Sequence, residues 1–155
     1  MVPSTLLRRN TFLEADAIHF SSLGAGNYLA EDAAKCNQYV TVDAAFNAQP
    51  ELHARLYPTA AGHPQAVYYV LVCRATLGAL VRTATPAPGC VGLDTGAPVF
   101  PVNTRELAPI PGLSPPTHHH GLVFDPPRDA TRFREFILFH GEYAYPENLL
   151  AYHRR

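Results

Sequence analysis

The stretch "AVYYVLVCRATLG", Ala66 to Gly78, limits the folds open to this chain more than any other segment. It is short, rich in β-branched and aromatic residues, and apolar without alternation. Such a run reads as a strand buried on both faces, and therefore as a central strand of a sheet. A second block, "RFREFILFHGEYAYPENLLAYHRR", closes the chain and reads as strand, turn and strand. Successive side chains on a strand alternate, so Phe133, Glu135, Ile137 and Phe139 share one face and Phe136, Leu138 and His140 the other. Glu135 is then a carboxylate inside a strand that asks for burial on both sides. Burial of a carboxylate is costly unless it is paired or faces a site. Three explanations stand open: a site carboxylate presented by a rigid strand, an ion pair with a neighbour such as Arg132 or Arg134, or an edge position.

A third block, "GAGNYLAEDAAKCNQYV", runs from Gly24 to Val40. Tyr28-Leu29-Ala30 is strand-like and follows a glycine turn. Glu31 and Asp32 then open a helix, where carboxylates suit the positive end of the dipole. Ala33, Cys36 and Val40 recur at helical spacing, and Tyr39, three residues after Cys36, can share its face. Residues 41–65 read as a loop with at most one helical turn. Residues 83–130 read as a long Pro-, Gly- and Thr-rich connection in which "VGLDTGAPVFPVN" holds at most a short strand. Strands with few helices make this an α+β chain.

The length of 155 residues suits one domain over 1–155, with 1–23 as a poorly defined leader. The formal charge of −1 gives no basic footprint, so nucleic acid is not indicated as a partner. No apolar run reaches membrane-spanning length, and the first residues lack a signal-peptide pattern, so no membrane partner and an intracellular location (nucleus or cytoplasm, not secreted) are expected. Three cysteines, Cys36, Cys73 and Cys90, suggest no disulfide framework. "THHH", Thr117 to His120, invites a metal reading, but neighbouring residues of an extended segment point in different directions. His53, His63 and Cys73 are too dispersed to form a motif. No metal is expected.

Together the three blocks resemble, in order, segments of the poly(ADP-ribose) polymerase-like ADP-ribosyltransferases. "GAGNYLAEDAAKCNQYV" is similar to their "G-x-G-[IV]-Y-[FL]-A-E…S-K-S-x-x-Y" segment, and "YYVLVCRATLG" to their next central strand. "REFILFHGEYAYPENLLAYHRR" is similar to their closing segment, with tankyrase-like members nearest there. The resemblance implies a split antiparallel sheet of the ADP-ribosyltransferase type. It implies NAD as co-substrate, a protein acceptor of ADP-ribose and release of nicotinamide, which is a pentosyl-type glycosyltransfer. It makes Glu135 and Tyr28 the catalytic residues. Tyr39 would stack on the nicotinamide, with Tyr28, Cys36, Gly26 and Ala30 around the NAD. A glutamate in this place would bind the hydroxyl of the nicotinamide ribose and favour the positive sugar that forms as nicotinamide leaves.

The sequence also departs from the family. A histidine-glycine strand should precede the first block, and residues 1–23 hold only His19, so the domain reads as N-terminally incomplete. Cys36 stands where the family has serine, and a thiol is a poor hydrogen-bond donor for a carboxamide. "PTAAGHPQ" replaces the zinc-binding loop of tankyrases. The alternatives are therefore a catalytically impaired relative acting as an interaction module and, third, an NAD glycohydrolase in which water replaces the acceptor.

Overall fold

A computed structural model describes residues 5–7, 23–86, 89–127 and 133–155. Of the leader read over 1–23, only 5–7 and 23 fall within this set. The elements in chain order are β1 (Thr5–Leu7), β2 (Asn27–Ala30), α1 (Ala33–Asn37), α2 (Pro50–Leu56), β3 (Tyr68–Ala75), β4 (Leu80–Thr83), β5 (Gly121–Phe124), β6 (Glu135–Leu138) and β7 (Ala144–Tyr152). The chain is α+β, as the sequence suggests. Among the described residues the strands form one seven-stranded sheet in the order β4-β5-β6-β2-β1-β3-β7.

The three sequence blocks become neighbours through strands far apart in the chain. β2 pairs antiparallel with β6, with Tyr28 opposite Ile137 and Ala30 opposite Glu135. β3 pairs antiparallel with β7 along its whole length, with an irregularity between Val72 and Cys73. β1 lies between β2 and β3 and pairs antiparallel with both.

Three elements differ from the sequence reading. The sheet is not wholly antiparallel: β4 and β5 pair in parallel. A parallel pair needs a long crossover, and residues 84–120 supply one. The described part of that connection is also more regular than its proline content suggests. Bridges Val91–Pro98 and Pro109–His118 fold it back on itself, and it places Cys90, Val99 and Leu107 in the core. Finally, residues 41–65 hold a seven-residue helix rather than at most one turn. Pro50 opens α2, where its missing N–H is no loss, and "ELHARL" is composed largely of good helix formers.

β3 is internal to the sheet, as expected of it, yet only Cys73 and Ala75 are buried along it. Its outer neighbour β7 is an edge strand, mostly exposed, which leaves much of β3 half-covered. The two faces of the sheet carry separate apolar clusters. Tyr28, Leu122, Phe124 and Ile137 join the residues of the long connection on one face. Leu29, Cys73, Ala75 and Leu138 form the other.

Candidate functional site

Residues directly opposite one another on antiparallel strands share a face. Tyr28, Ala30, Ile137 and Glu135 therefore project from the same side, and β5 extends the row with Leu122 opposite Ile137 and Phe124 opposite Glu135. Glu135 is the polar end of an otherwise apolar row. It sits at the first residue of β6, at the rim where β2 ends and α1 begins.

Its charge is met from α1. Lys35 Nζ lies 3.0 Å from Glu135 Oε1, with side chains only 15% and 12% exposed. The same ammonium stands 5.2 Å from the centre of the Tyr39 ring, within cation–π range. Burial alone would lower the Lys35 pKa, but the bond and charge of Glu135 and the Tyr39 hydroxyl outweigh it and raise the value. The arginines suggested by the sequence do not serve. Arg134 turns outward to Asp125 and Glu31, and Arg132 lies outside the described residues.

The helix that carries Lys35 is short and held at both ends. The Asp32 carboxylate accepts from the Ala34 N–H at 2.8 Å and caps its start. At its end Arg154 donates to Asn37 Oδ1 at 2.9 Å and to the Asn37 and Val40 carbonyls, while the Tyr152 hydroxyl donates to Asn37 Oδ1 at 2.7 Å. The Arg154 guanidinium lies 4.1 Å from the Tyr68 ring centre. The end of β7 thus fixes the segment that leads into Tyr39.

The other predicted site residues divide. Cys36 is buried beside this carboxylate, and burial, followed by the charges of Asp32 and Glu135, pushes its thiol up to about 11. It is a protonated thiol at neutral pH. Tyr28 is a core residue at 3% exposure. Its hydroxyl donates to the Gly24 carbonyl at 2.8 Å and accepts from the Leu23 N–H at 3.1 Å, which ties the glycine turn to the strand after it. Gly26 packs so closely on β6 that a Cβ there would meet Ile137 Cγ2 at 2.5 Å and the Leu138 carbonyl oxygen at 2.9 Å. Tyr39 does not share the buried face of Cys36. It follows the end of α1 and is 41% exposed.

Two features escaped the sequence reading. Lys35 is the only lysine in the chain and precedes Tyr39 by one helical turn, which was a usable signal. The other is a buried group of Asp43, His53 and His63, whose possible ligand atoms lie within 4.8 Å of one another. No sequence spacing marks it, because the loop between Asp43 and Val67 brings the three together. The hydrogen bonds of this group are not those of metal ligands. Each histidine accepts a backbone N–H at Nδ1, from Asn47 at 2.8 Å and Gln65 at 3.2 Å. The proton of each neutral ring then sits on Nε2, the nitrogen that would have to bind an ion. The histidines of "THHH" go to separate backbone partners: His118 to the Leu107 carbonyl, His119 to that of Ala108, and His120 to the Ala79 N–H.

No protein-family model matches this chain, and no curated protein matches it significantly. Among the described residues no helix is long and apolar enough to cross a membrane.

Proposed function

We propose that the chain is an NAD-dependent ADP-ribosyltransferase that moves ADP-ribose to a protein acceptor and releases nicotinamide. One arrangement carries the reading: the pairing of Ala30 with Glu135 brings the carboxylate to the rim of the sheet beside Lys35, Cys36 and Tyr39. The resemblance of three ordered sequence blocks to the poly(ADP-ribose) polymerase-like enzymes supports it.

The residues suit the substrate as follows. The exposed Tyr39 ring offers a flat surface for nicotinamide. Glu135 accepts a hydrogen bond from the hydroxyl of the nicotinamide ribose and favours the positive charge that grows on the sugar as the glycosidic bond breaks. Ala30, opposite Glu135, presents only a methyl group beside the carboxylate. Nicotinamide departs with the bonding pair, and an acceptor oxygen or nitrogen then forms the new bond to the sugar and gives up its proton.

A second reading has its own support. Glu135 is already paired with Lys35, and the Tyr28 hydroxyl is engaged with the glycine turn. Both fit a relative that keeps the frame as an interaction module without catalysis. Incubating the folded chain with NAD labelled in the adenylate half separates the cases. Label transfer with nicotinamide release supports the transferase. Nicotinamide release without transfer points to the glycohydrolase, and neither product points to the module.

A further inference from the structure

The loop from Asp43 to Val67 is closed by a hydrogen-bonded core that is separate from Glu135 and its neighbours. The Asp43 N–H donates to the Val67 carbonyl at 2.8 Å, and the Val67 N–H donates back to Asp43 at 3.0 Å. Inside this closure Asp43 Oδ2 lies 2.5 Å from His53 Nε2 and 3.2 Å from His63 Nε2. All three residues are buried.

Both rings are fully used. A nitrogen that accepts from a backbone N–H carries no proton, so each neutral imidazole bears its proton on Nε2 and donates it to Asp43. The two backbone donors belong to residues of unusual conformation, Asn47 at φ 73° and Gln65 at φ 52°, with Ala66 at φ 46° following. Residues with side chains adopt the left-handed region sparingly, so neighbouring contacts must hold them there. The acceptor nitrogens of His53 and His63 are such contacts.

We infer that Asp43, His53 and His63 form a proton-sensitive clasp that keeps residues 43–67 folded while both histidines are neutral and loosens them on acidification. Protonating either ring places a new N–H at Nδ1, facing the backbone N–H of Asn47 or Gln65. A hydrogen bond then becomes a contact between two donors. If both rings are protonated, two cations share one buried carboxylate. A single imidazolium would gain from Asp43 but still lose its backbone bond.

The groups facing the cluster do not relieve this. Tyr57 packs edge-on to both rings, and Phe46 stacks on His53. The Tyr57 hydroxyl is 2.7 Å from that of Tyr69 on β3. Burial, followed by the bonds to Tyr57 and Asp43 and their charges, pushes the ionisation of Tyr69 far up, so it brings no charge near neutral pH. The Tyr69 hydroxyl also bonds to the Asp43 carboxylate. Burial would raise the Asp43 pKa, but the bonds from His53, His63 and Tyr69 outweigh it and hold the carboxyl below its usual range. A depressed carboxylate pKa contributes stability that is lost only as pH falls below the ordinary carboxylate value of 3.8, so Asp43 stays ionised throughout the range in which the clasp is tested.

The test is nitrogen-15 magnetic resonance on the full chain between about pH 8 and pH 5, where histidine ordinarily changes charge. At the upper end the ring nitrogens should report the Nε2–H form for both histidines. Towards the lower end the protection of the Asn47 and Gln65 amides should fall together by about tenfold or more, ahead of Ile137 in the sheet. A paired His53→Gln, His63→Gln variant should lose this pH response. If that variant does not fold, the ring shifts of the unmodified chain still decide, since an Nδ1–H form in either ring overturns the clasp. Protection that is independent of pH overturns it too, as does stoichiometric binding of added zinc.

Discussion

Lys35 and Glu135 form a nearly buried ion pair, 3.0 Å between Nζ and Oε1, that joins the first helix to the sixth strand. Each charge depends on the other, because an unpaired charge at this depth is poorly hydrated. Lys35→Met should therefore lower stability by about 2 kcal/mol. Adding Glu135→Leu to the same chain should restore part of that loss, since the double variant leaves no orphaned charge. Urea unfolding of the single and double variants checks this. A Lys35→Met variant as stable as the unmodified chain would show that the pair is solvated. The raised lysine pKa gives the sign on the alkaline side: the lysine's contribution is present at neutral pH and is lost as pH rises above the ordinary value of 10.5.

Glu135→Gln should abolish transfer of ADP-ribose while changing NAD affinity little. The amide keeps the shape and can still accept a hydrogen bond, but it offers no charge to the developing cation. Single-turnover rates with labelled NAD, set beside equilibrium binding, make the comparison. Equal loss of binding and of rate would remove Glu135 from its assigned role.

For Tyr39→Ala the expected change is the reverse. The ring is 41% exposed and contributes little to the core, so the fold should survive. Loss of a stacking face should weaken NAD binding by roughly tenfold, equivalent to about 1.4 kcal/mol. Calorimetry on the folded variant provides the measurement, and unchanged affinity would argue against stacking.

Legibility in the sequence followed the range of the interactions. β2, β3, β6 and β7 could be read because their side-chain patterns are local, and Glu135 stood out because a carboxylate interrupts an apolar strand. Its partner could not be read by distance along the chain, since the pairing of β2 with β6 is what brings Lys35 to it. Nearby arginines were the natural guess, and Arg134 faces outward instead. β4 and β5 were hidden for a similar reason. Each is four residues long, and the second follows directly on the histidine run. The Asp43 cluster had no local signature at all, because its members are drawn together by loop closure.

Cys36 should be inert in the folded chain. The residue is 2% exposed and burial pushes its thiol up to about 11, so little thiolate exists at neutral pH. Alkylation followed by peptide mass spectrometry should show slow modification of Cys36 near pH 7 and rapid modification after unfolding. Modification at the rate of a free thiol in the native chain would contradict this burial. Cys36→Ser adds a competent donor in the same place and should tighten NAD binding if the carboxamide rests there.

Gly26→Ala tests the close approach of the glycine turn to β6. The added methyl would lie 2.5 Å from Ile137 Cγ2 and 2.9 Å from the Leu138 carbonyl oxygen, and the backbone atom has little freedom to move. Overpacking of this kind costs about 1–3 kcal/mol and should lower the urea midpoint by roughly 1 M. Gly141→Ala is the matched control, because a Cβ there meets nothing within 4 Å. If the two variants unfold at the same urea concentration, β2 and β6 do not approach as closely as the turn requires. If only Gly26→Ala is destabilised and also loses transfer, the turn is helping to set the rim at which Glu135 stands.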